Sequence, residues 1–244
     1  MSELRSRVAL VTGGSRGIGR AIALALAKAG AALAVNYRER SDEAASVVEA
    51  IHKGGGRAAA IGADVSSRAA VQNMVCEIEE RLGPIDILVN NAGMAAIRSI
   101  EEITEEDFDR AIAVNLKSVF LCTQAVLPGM RARRWGRIVN ISSIAARSAG
   151  AVSVAYNASK AGLEGLTRGY ASRLAGEGVT VNAVAPGLIE TDMARPLIEA
   201  GLAARIPVGR FGSGEEIAQA VLMLAGNAFM TGQTVAVNGG LLFS

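Results

Sequence analysis

Tyr156, Lys160 four residues after it and Ser143 thirteen residues before it are the residues whose types and spacing could do chemistry, because together they can deliver a proton to a carbonyl oxygen. The run AYNASKAGLEGLTRGYASRLAGEG reads as a helix, in which positions i and i+4 share one face about one turn apart. The Lys160 ammonium then sits beside the Tyr156 phenol. A free phenol titrates near pH ~10, and a fixed neighbouring cation favours the phenolate, moving the group toward acid–base work near neutral pH. A hydroxyl such as that of Ser143 can hold the substrate oxygen, which points to redox chemistry at a C–O bond. Any amphipathic helix with a Tyr and a Lys one turn apart would show the same spacing, so the constellation takes its weight from the elements that must position it.

Composition excludes several alternatives. A chain of 244 residues can bury a sizeable core, either as one large α/β domain or as two small ones. Its 25 Lys+Arg against 23 Asp+Glu make no basic field that would argue for nucleic acid. The start, MSELRSRVALVTGG, holds a short apolar run before glycine, unlike a secretory signal or a membrane anchor. The stretch AIALALAKAGAALAV is interrupted by Lys28 and Gly30 and reads as helix then strand, so the expectation is a soluble, cytoplasmic protein. Cys76 and Cys122 lie in helical patterns without metal-ligand spacing and read as small buried apolar residues, implying neither a disulfide framework nor a metal site. His52 is the single histidine and precedes Gly54-Gly55-Gly56 near a helix end, which leaves a Ser-His-Asp hydrolase without its base.

Short aliphatic runs alternate with helical stretches. VALVTG precedes a helix over 17–29, LAVNY one over 41–53, AAAIGADV one over 67–82, DILVNNAG one over 104–132 and RIVNISS one over 154–176; TVNAVAPG leads into an irregular and helical segment, and TVAVNGG closes the chain. Seven strands separated by helices predict a single-domain, doubly wound Rossmann fold across 1–244, a parallel sheet flanked by helices on both faces. Residues 188–212, with two of the five prolines, are the least regular part and the place for a mobile substrate lid.

Thr12-Gly13-Gly14-Ser15-Arg16-Gly17-Ile18-Gly19 follows the first strand and opens a helix, offering backbone N–H groups and a positive dipole end to a pyrophosphate. Its G-x-x-x-G-x-G spacing differs from the commoner G-x-G-x-x-G, and a glycine loop can also be merely a tight strand-to-helix turn. Enzymes that prefer NAD place a carboxylate at the end of the second strand, where this chain reads Val35-Asn36-Tyr37-Arg38. Arg16 and Arg38 could instead flank a 2′-phosphate, which predicts NADPH and makes Tyr156 an acid in reduction rather than a base in oxidation. Asp64-Val65 end the third strand where an adenine would lie, although spacing alone fits a helix-terminal acid equally well. Asn91-Ala92-Gly93 end the fourth strand, beside the ribose. In the long helix, Thr104 and Asp107 have capping spacing, and the apolar stripe Phe108, Ile112, Val119, Val126 is broken by Asn115. A buried amide must be hydrogen-bonded, which either a neighbouring backbone group or a local break in the helix that holds water would provide.

With these motifs in order and register, the chain resembles the short-chain dehydrogenase/reductase family over essentially its whole length, and within it the reductases of β-ketoacyl thioesters. The glycine motif matches TGGSRGIG, the adenine-side acid Asp64, the N-N-A-G motif Asn90-Asn91-Ala92-Gly93, and the Asn-Ser-Tyr-Lys tetrad Asn115, Ser143, Tyr156 and Lys160. The resemblance implies that Pro186-Gly187, Ile189 and Thr191 hold the nicotinamide carboxamide. It further implies that Lys160 holds the nicotinamide ribose, that Asn115 fixes a relay water, and that a homotetramer forms through the helices near Tyr156 and the last strand. Its implied substrate is a 3-oxoacyl thioester on acyl carrier protein or coenzyme A. Carrier-protein users present a basic patch, of which Arg134 and Arg137 remain while Glu177 stands where a basic residue is usual. Carbonyl reduction of small ketones, sugars or secondary metabolites, and non-catalytic NADP binding, are the competing readings.

Overall fold

A computed structural model describes residues 4–148, 152–192, 198 and 201–243. Its strands are short, nearly continuous apolar runs because both faces of the sheet are covered: VALV of β1 (Val8–Val11) and IDILVN of β4 (Ile85–Asn90) are buried throughout. Between them come α1 (Gly17–Lys28), β2 (Ala32–Tyr37), α2 (Ser41–Lys53), β3 (Ala58–Gly62) and α3 (Arg68–Arg81). After β4 follow α4 (Glu105–Ile112), α5 (Ser118–Ala132), β5 (Gly136–Ile141), α6 (Val154–Leu174), β6 (Val179–Pro186), α7 (Gly214–Gly226) and β7 (Thr234–Val237). All pairings are parallel, in the order β3-β2-β1-β4-β5-β6-β7.

Alternation along each strand divides the core in two. Ala9 and Val11 of β1 pack with Ile22 and Leu26 of α1, Val47 of α2 and Val221 of α7. Val8 and Leu10 face the other way, onto Met74 and Ile78 of α3, Leu121 and Met130 of α5 and Leu174 of α6. Strand order reverses between β1 and β4, so the helices after these two strands leave on opposite faces and a crevice opens at their carboxyl ends.

The expected helix over 104–132 is two helices joined by a π-helical turn at Ala113–Lys117, with Asn115 at its centre, so the amide does break the helix. The extra residue shifts the phase of the apolar stripe: Phe108, expected in the core, is exposed, and Ala111 is the buried residue of α4. This stretch from Glu105 to Ala132 is long and apolar enough to cross a membrane, yet half of its most apolar window is buried in the fold. Cys76 is exposed rather than buried, because α3 turns it away from the sheet; Cys122 is buried as expected, and burial pushes its thiol up to about 12. In the 188–212 segment, Ile189 bridges Gly212, and a 3-10 turn spans Leu202–Arg205. Residues 193–197, 199 and 200 lie outside the described residues.

Ile87, fully buried at the centre of β4, tests the two-sided core. Ile87→Ala is expected to cost about 2–5 kcal/mol in unfolding free energy, read as a lowered urea midpoint at unchanged slope.

Candidate active site

The loop after β1 turns tightly because Gly13 and Gly17 take φ of 60° and 52°, a region side chains rarely adopt. Gly19 is forced for a different reason: a Cβ there would lie 2.2 Å from the Gly13 carbonyl oxygen and 2.5 Å from Asn91 Nδ2. The result is a cradle without side chains, at the N-terminus of α1, with Arg16 as N-cap, Ser15 buried behind it and Ile18 packed onto the core. Free N–H groups and the helix dipole suit this cradle to a diphosphate.

Two side chains outside the expected site residues hold the cradle in shape. The Thr12 hydroxyl accepts from the N–H groups of Asn91 and Ala92, both at 3.0 Å, and donates to Val89 O at 3.3 Å, fastening the end of β1 to that of β4. Asn91 replies with Nδ2 donated to Thr12 O at 2.9 Å and Gly13 O at 3.0 Å. On the other side, buried Asn36 accepts from Gly13 N at 3.3 Å and donates toward Ile61 O at 3.2 Å and Ala63 O at 3.1 Å, joining β1, β2 and β3. Both residues look ordinary in sequence, a Thr before glycine and an Asn inside a strand. The available signal was that Asn36 sits in a strand buried on both faces, where a polar side chain needs partners.

At the ends of β2 and β3, Tyr37 packs over Gly62, where a Cβ would lie 3.2 Å from its hydroxyl. Asp64 Oδ1 accepts from Ser66 N at 2.9 Å and Ser66 Oγ at 2.7 Å, and the Ser66 hydroxyl above all holds its carboxyl below the usual range. Asp64 thus braces the loop before α3, whose N-cap is Ser67. The Val65 side chain is buried in the core, which leaves its backbone for an adenine contact. Arg38 pairs with Glu39, and Arg16 with Asp192 at 3.5 Å. All four side chains are well exposed, so each pair is worth ~0–1 kcal/mol and yields readily to a dianion.

Across the crevice, β6 ends at Pro186, and Gly187 lies so close to Asn238 that a Cβ would sit 2.7 Å from its Cα. Ile189 is buried, while Thr191 leans over Gly17, its Cγ2 at 3.4 Å from where a Gly17 Cβ would be. The Ser153 hydroxyl caps α6 and accepts from Tyr156 N at 3.3 Å, placing Tyr156 in the first helical turn. The Ser143 hydroxyl, at the end of β5, hydrogen-bonds the Tyr156 phenol. Lys160 is buried and donates Nζ to Ile141 O at 2.8 Å; burial pulls its ammonium down to about 8. A Cβ on Gly93 would lie 3.3 Å from Asn115 Oδ1 and 3.7 Å from Lys160 Nζ, so the four tetrad residues and the end of β4 meet in one place.

Two expectations change here. Lys160 Nζ stands 5.7 Å from the Tyr156 ring centroid and is turned to Ile141, so burial, not the ammonium, sets the phenol's balance and pushes it up; the Ser143 hydrogen bond pulls it partly back. The Asn115 amide accepts from Met94 N at 2.8 Å and donates to Met94 O at 3.0 Å and Ser159 Oγ at 3.1 Å, so it clamps the β4 loop rather than reaching for water.

The profile of the family described as short chain dehydrogenase matches residues 7–201. The chain belongs to the short-chain dehydrogenase family. It is 43% identical to a 3-oxoacyl-(acyl-carrier-protein) reductase of Synechocystis sp., covering 99% of each chain, and 43% identical to one of Pseudomonas aeruginosa, covering 99% of this chain and 100% of that one. Among solved structures, a putative gluconate dehydrogenase from Agrobacterium tumefaciens superposes with a TM-score of 0.92 at 36% identity, covering 98% of this chain and 96% of that one. The protein gox2181 does so with a TM-score of 0.93 at 36% identity, covering 99% and 98%. As a short-chain dehydrogenase the chain is an oxidoreductase of the C–OH/C=O pair that uses a nicotinamide cofactor. The short-chain dehydrogenase site is compact, but its expected basic patch is not: Arg137 is buried at the amino end of β5, stacked 4.4 Å from the Trp135 ring centroid. Arg134 donates to Gly176 O at 3.0 Å, and Glu177 is gripped by Arg131 through both carboxylate oxygens.

Lys160 carries a testable electrostatic signature in the ligand-free protein. The folded chain holds its ammonium at about 8 against the ordinary 10.5, so between those values the unfolded state binds the extra proton and stability rises with pH. Lys160→Met is expected to flatten that rise, seen as urea midpoints that climb less steeply with pH across this window; parallel curves for the two proteins would contradict the burial cost.

Proposed function

We propose that this oxidoreductase uses NADPH to reduce a 3-oxoacyl thioester, carried on acyl carrier protein or coenzyme A, to the 3-hydroxyacyl thioester. One observation carries the reading: Ser143, Tyr156 and Lys160 converge beside a side-chain-free phosphate cradle at the point where strand order reverses. The names of the relatives that are 43% identical supply the substrate class.

The residues present fit a dinucleotide, since the loop that turns on Gly13 and Gly17 at positive φ opens directly into α1 and presents backbone N–H groups at that helix's N-terminus. N–H groups from Ser15 to Gly19, in the turn that Gly13 makes possible, would take the diphosphate, Arg16 and Arg38 a 2′-phosphate, and Tyr37, Asp64 and Val65 the adenine. Asn91, Ala92, Gly93, Tyr156 and Lys160 would take the nicotinamide ribose, and Pro186, Gly187, Ile189 and Thr191 the carboxamide. When bound, the reduced nicotinamide supplies a hydride. Ser143 orients the substrate oxygen, and Tyr156 donates its phenolic proton to that oxygen as negative charge develops there. A phenol held up by burial is protonated at neutral pH, which suits an acid; general acid catalysis contributes ~10²–10⁴-fold. Lys160 Nζ lies behind the phenol to pass a proton inward. With the Asn115 amide committed to Met94 and Ser159, the relay water falls to the backbone carbonyls that the π-helical turn releases from α-helical pairing.

In this reading residues 188–212 form the lid that sets acyl length, and the protein works as a cytoplasmic homotetramer. Phe229 and Phe243, fully and 88% exposed on either side of the last strand, support an interface there. A second reading, reduction of small ketones or sugars, is favoured by the Arg131–Glu177 pair and by buried Arg137, which leave little free cation for an acidic carrier.

Mixing the protein with NADPH and either acetoacetyl-CoA or a panel of simple ketones, and following cofactor absorbance, separates the two readings. Tyr156→Phe is expected to lose at least about 10²-fold in kcat while still enhancing NADPH fluorescence on binding; retained turnover would defeat the proton-donor assignment. Arg38→Asp is expected to reverse the preference for NADPH over NADH in kcat/KM, by removing the guanidinium that flanks the 2′-phosphate. An unchanged ratio removes Arg38 from the cofactor site.

A further inference from the structure

We propose that Glu164 is a positioning residue for the Ser143 hydroxyl, its carboxylate gripping the loop that carries Ser143 on both sides of that serine. The proposal rests on the reading of Ser143 and Tyr156 as substrate-facing groups and names a residue beyond the tetrad that sets their geometry.

Glu164 lies on α6 one turn beyond Lys160, with its side chain only 5% exposed. Its Oε1 accepts from the Ser142 hydroxyl at 3.3 Å, immediately before Ser143, and its Oε2 accepts from Arg147 Nε at 2.8 Å, four residues after it. Between these anchors, Ser143 leads into a 3-10 turn at Ile144–Ala146, where its hydroxyl accepts from Ala145 N at 3.1 Å. The far end of the loop is tied to the same helix, since Asn157 Nδ2 donates to Ser148 O at 2.8 Å. The helix that carries Tyr156 and Lys160 therefore also holds the segment that carries Ser143.

A buried carboxylate is a poor stability device, because desolvation offsets most of the attraction and a well-packed apolar residue would often serve as well. What a bidentate charged grip supplies is a defined position. Charge-assisted hydrogen bonds at both ends of a short loop leave the serine little freedom to drift, and a displacement of about 1 Å in a catalytic group can cost ~10²-fold in rate. Among the described residues, the groups facing the Tyr156 phenol are Ser143 from the loop after β5 and Lys160 from its own helix, while Arg147 and Glu164 are paired with one another. Releasing the clamp detaches the Ser143 loop from α6 at both Ser142 and Arg147.

Glu164→Leu, Arg147→Met, Ser143→Ala and the double variant Ser143→Ala/Glu164→Leu test the proposal in the full-length protein, with acetoacetyl-CoA and NADPH for turnover. A second readout needs no turnover: the ultraviolet phenolate titration of each protein, minus that of the same protein carrying Tyr156→Phe. Glu164→Leu is expected to lower kcat by about 10–100-fold with KM for NADPH nearly unchanged, and to move the Tyr156 titration to higher pH. The double variant is expected to be no slower than Ser143→Ala, because Glu164 acts through that hydroxyl. Multiplied losses in the double variant, or an unmoved phenol titration, overturn the proposal. Should Glu164→Leu fail to fold, Arg147→Met, which leaves the Ser142 hydrogen bond in place, must shift the titration in the same direction or the clamp is refuted. Wild-type protein silent toward acetoacetyl-CoA and the ketone panel would sink the functional reading instead, leaving the titration to decide the clamp alone.

Discussion

Parallel pairing of β1 with β4, strands separated by more than seventy residues of chain, is the constraint on which the rest of the structure depends. It places Val11 beside Val89, so the chain leaves both strands at the same end of the sheet and toward opposite faces. The crevice this creates is lined by backbone from two loops that neither strand could bring together alone. Thr12 and Asn91 stitch those loops with four hydrogen bonds, each typically worth ~1 kcal/mol net when fully made and costing more when one partner is removed. The glycines of the cradle then follow from packing. Gly19 must lack a side chain because Gly13 and Asn91 already occupy its space.

A second consequence is a polar layer running through the apolar sheet just beneath the site. Asn90 donates to Asn140 Oδ1 at 2.8 Å, and Asn140 donates to Thr167 Oγ1 at 2.9 Å, linking β4, β5 and α6 below Lys160. Asn115, Ser159 and Met94 repeat the arrangement at the level of the tetrad. Buried polar groups cost little when every member is satisfied and a good deal when one is not, so such layers specify a single alignment of strands and helix. They tie α6 to the strands that carry the cradle, the fixed geometry that the proposed proton transfer needs.

The strands and helices were legible because their signal is local. A strand buried on both faces reads as a short aliphatic run, and an amphipathic helix as a 3.6-residue period, so the seven-strand alternation emerges, although β3, β4 and β7 end at Gly62, Asn90 and Val237, three residues before the expected runs do. Asn115 was legible as an anomaly, a polar residue on an apolar stripe, and the π-helical turn is the physical form of that anomaly. The phase beyond it was not: one inserted residue rotates Phe108 out of the core, and no local pattern announces the insertion. Cys76 misread for a similar reason, since α3 has a weak apolar face and its outward side looks much like its inward one. The family resemblance put Arg134 and Arg137 in a surface patch, whereas the fold stacks Arg137 on Trp135 and turns Arg134 onto a carbonyl.

By itself the sequence determined which residues are candidates for chemistry and in what order the elements come, because residue type and short-range period are properties of the chain. Only the tertiary structure decided what each group experiences. Whether Lys160 speaks to the phenol or to the Ile141 carbonyl, whether Asn115 holds water or Met94, and whether Glu164 faces solvent or the Ser142–Arg147 loop depend on contacts between segments distant in sequence. Burial and hydrogen bonding at those contacts set protonation and position, and neither is a function of local spacing.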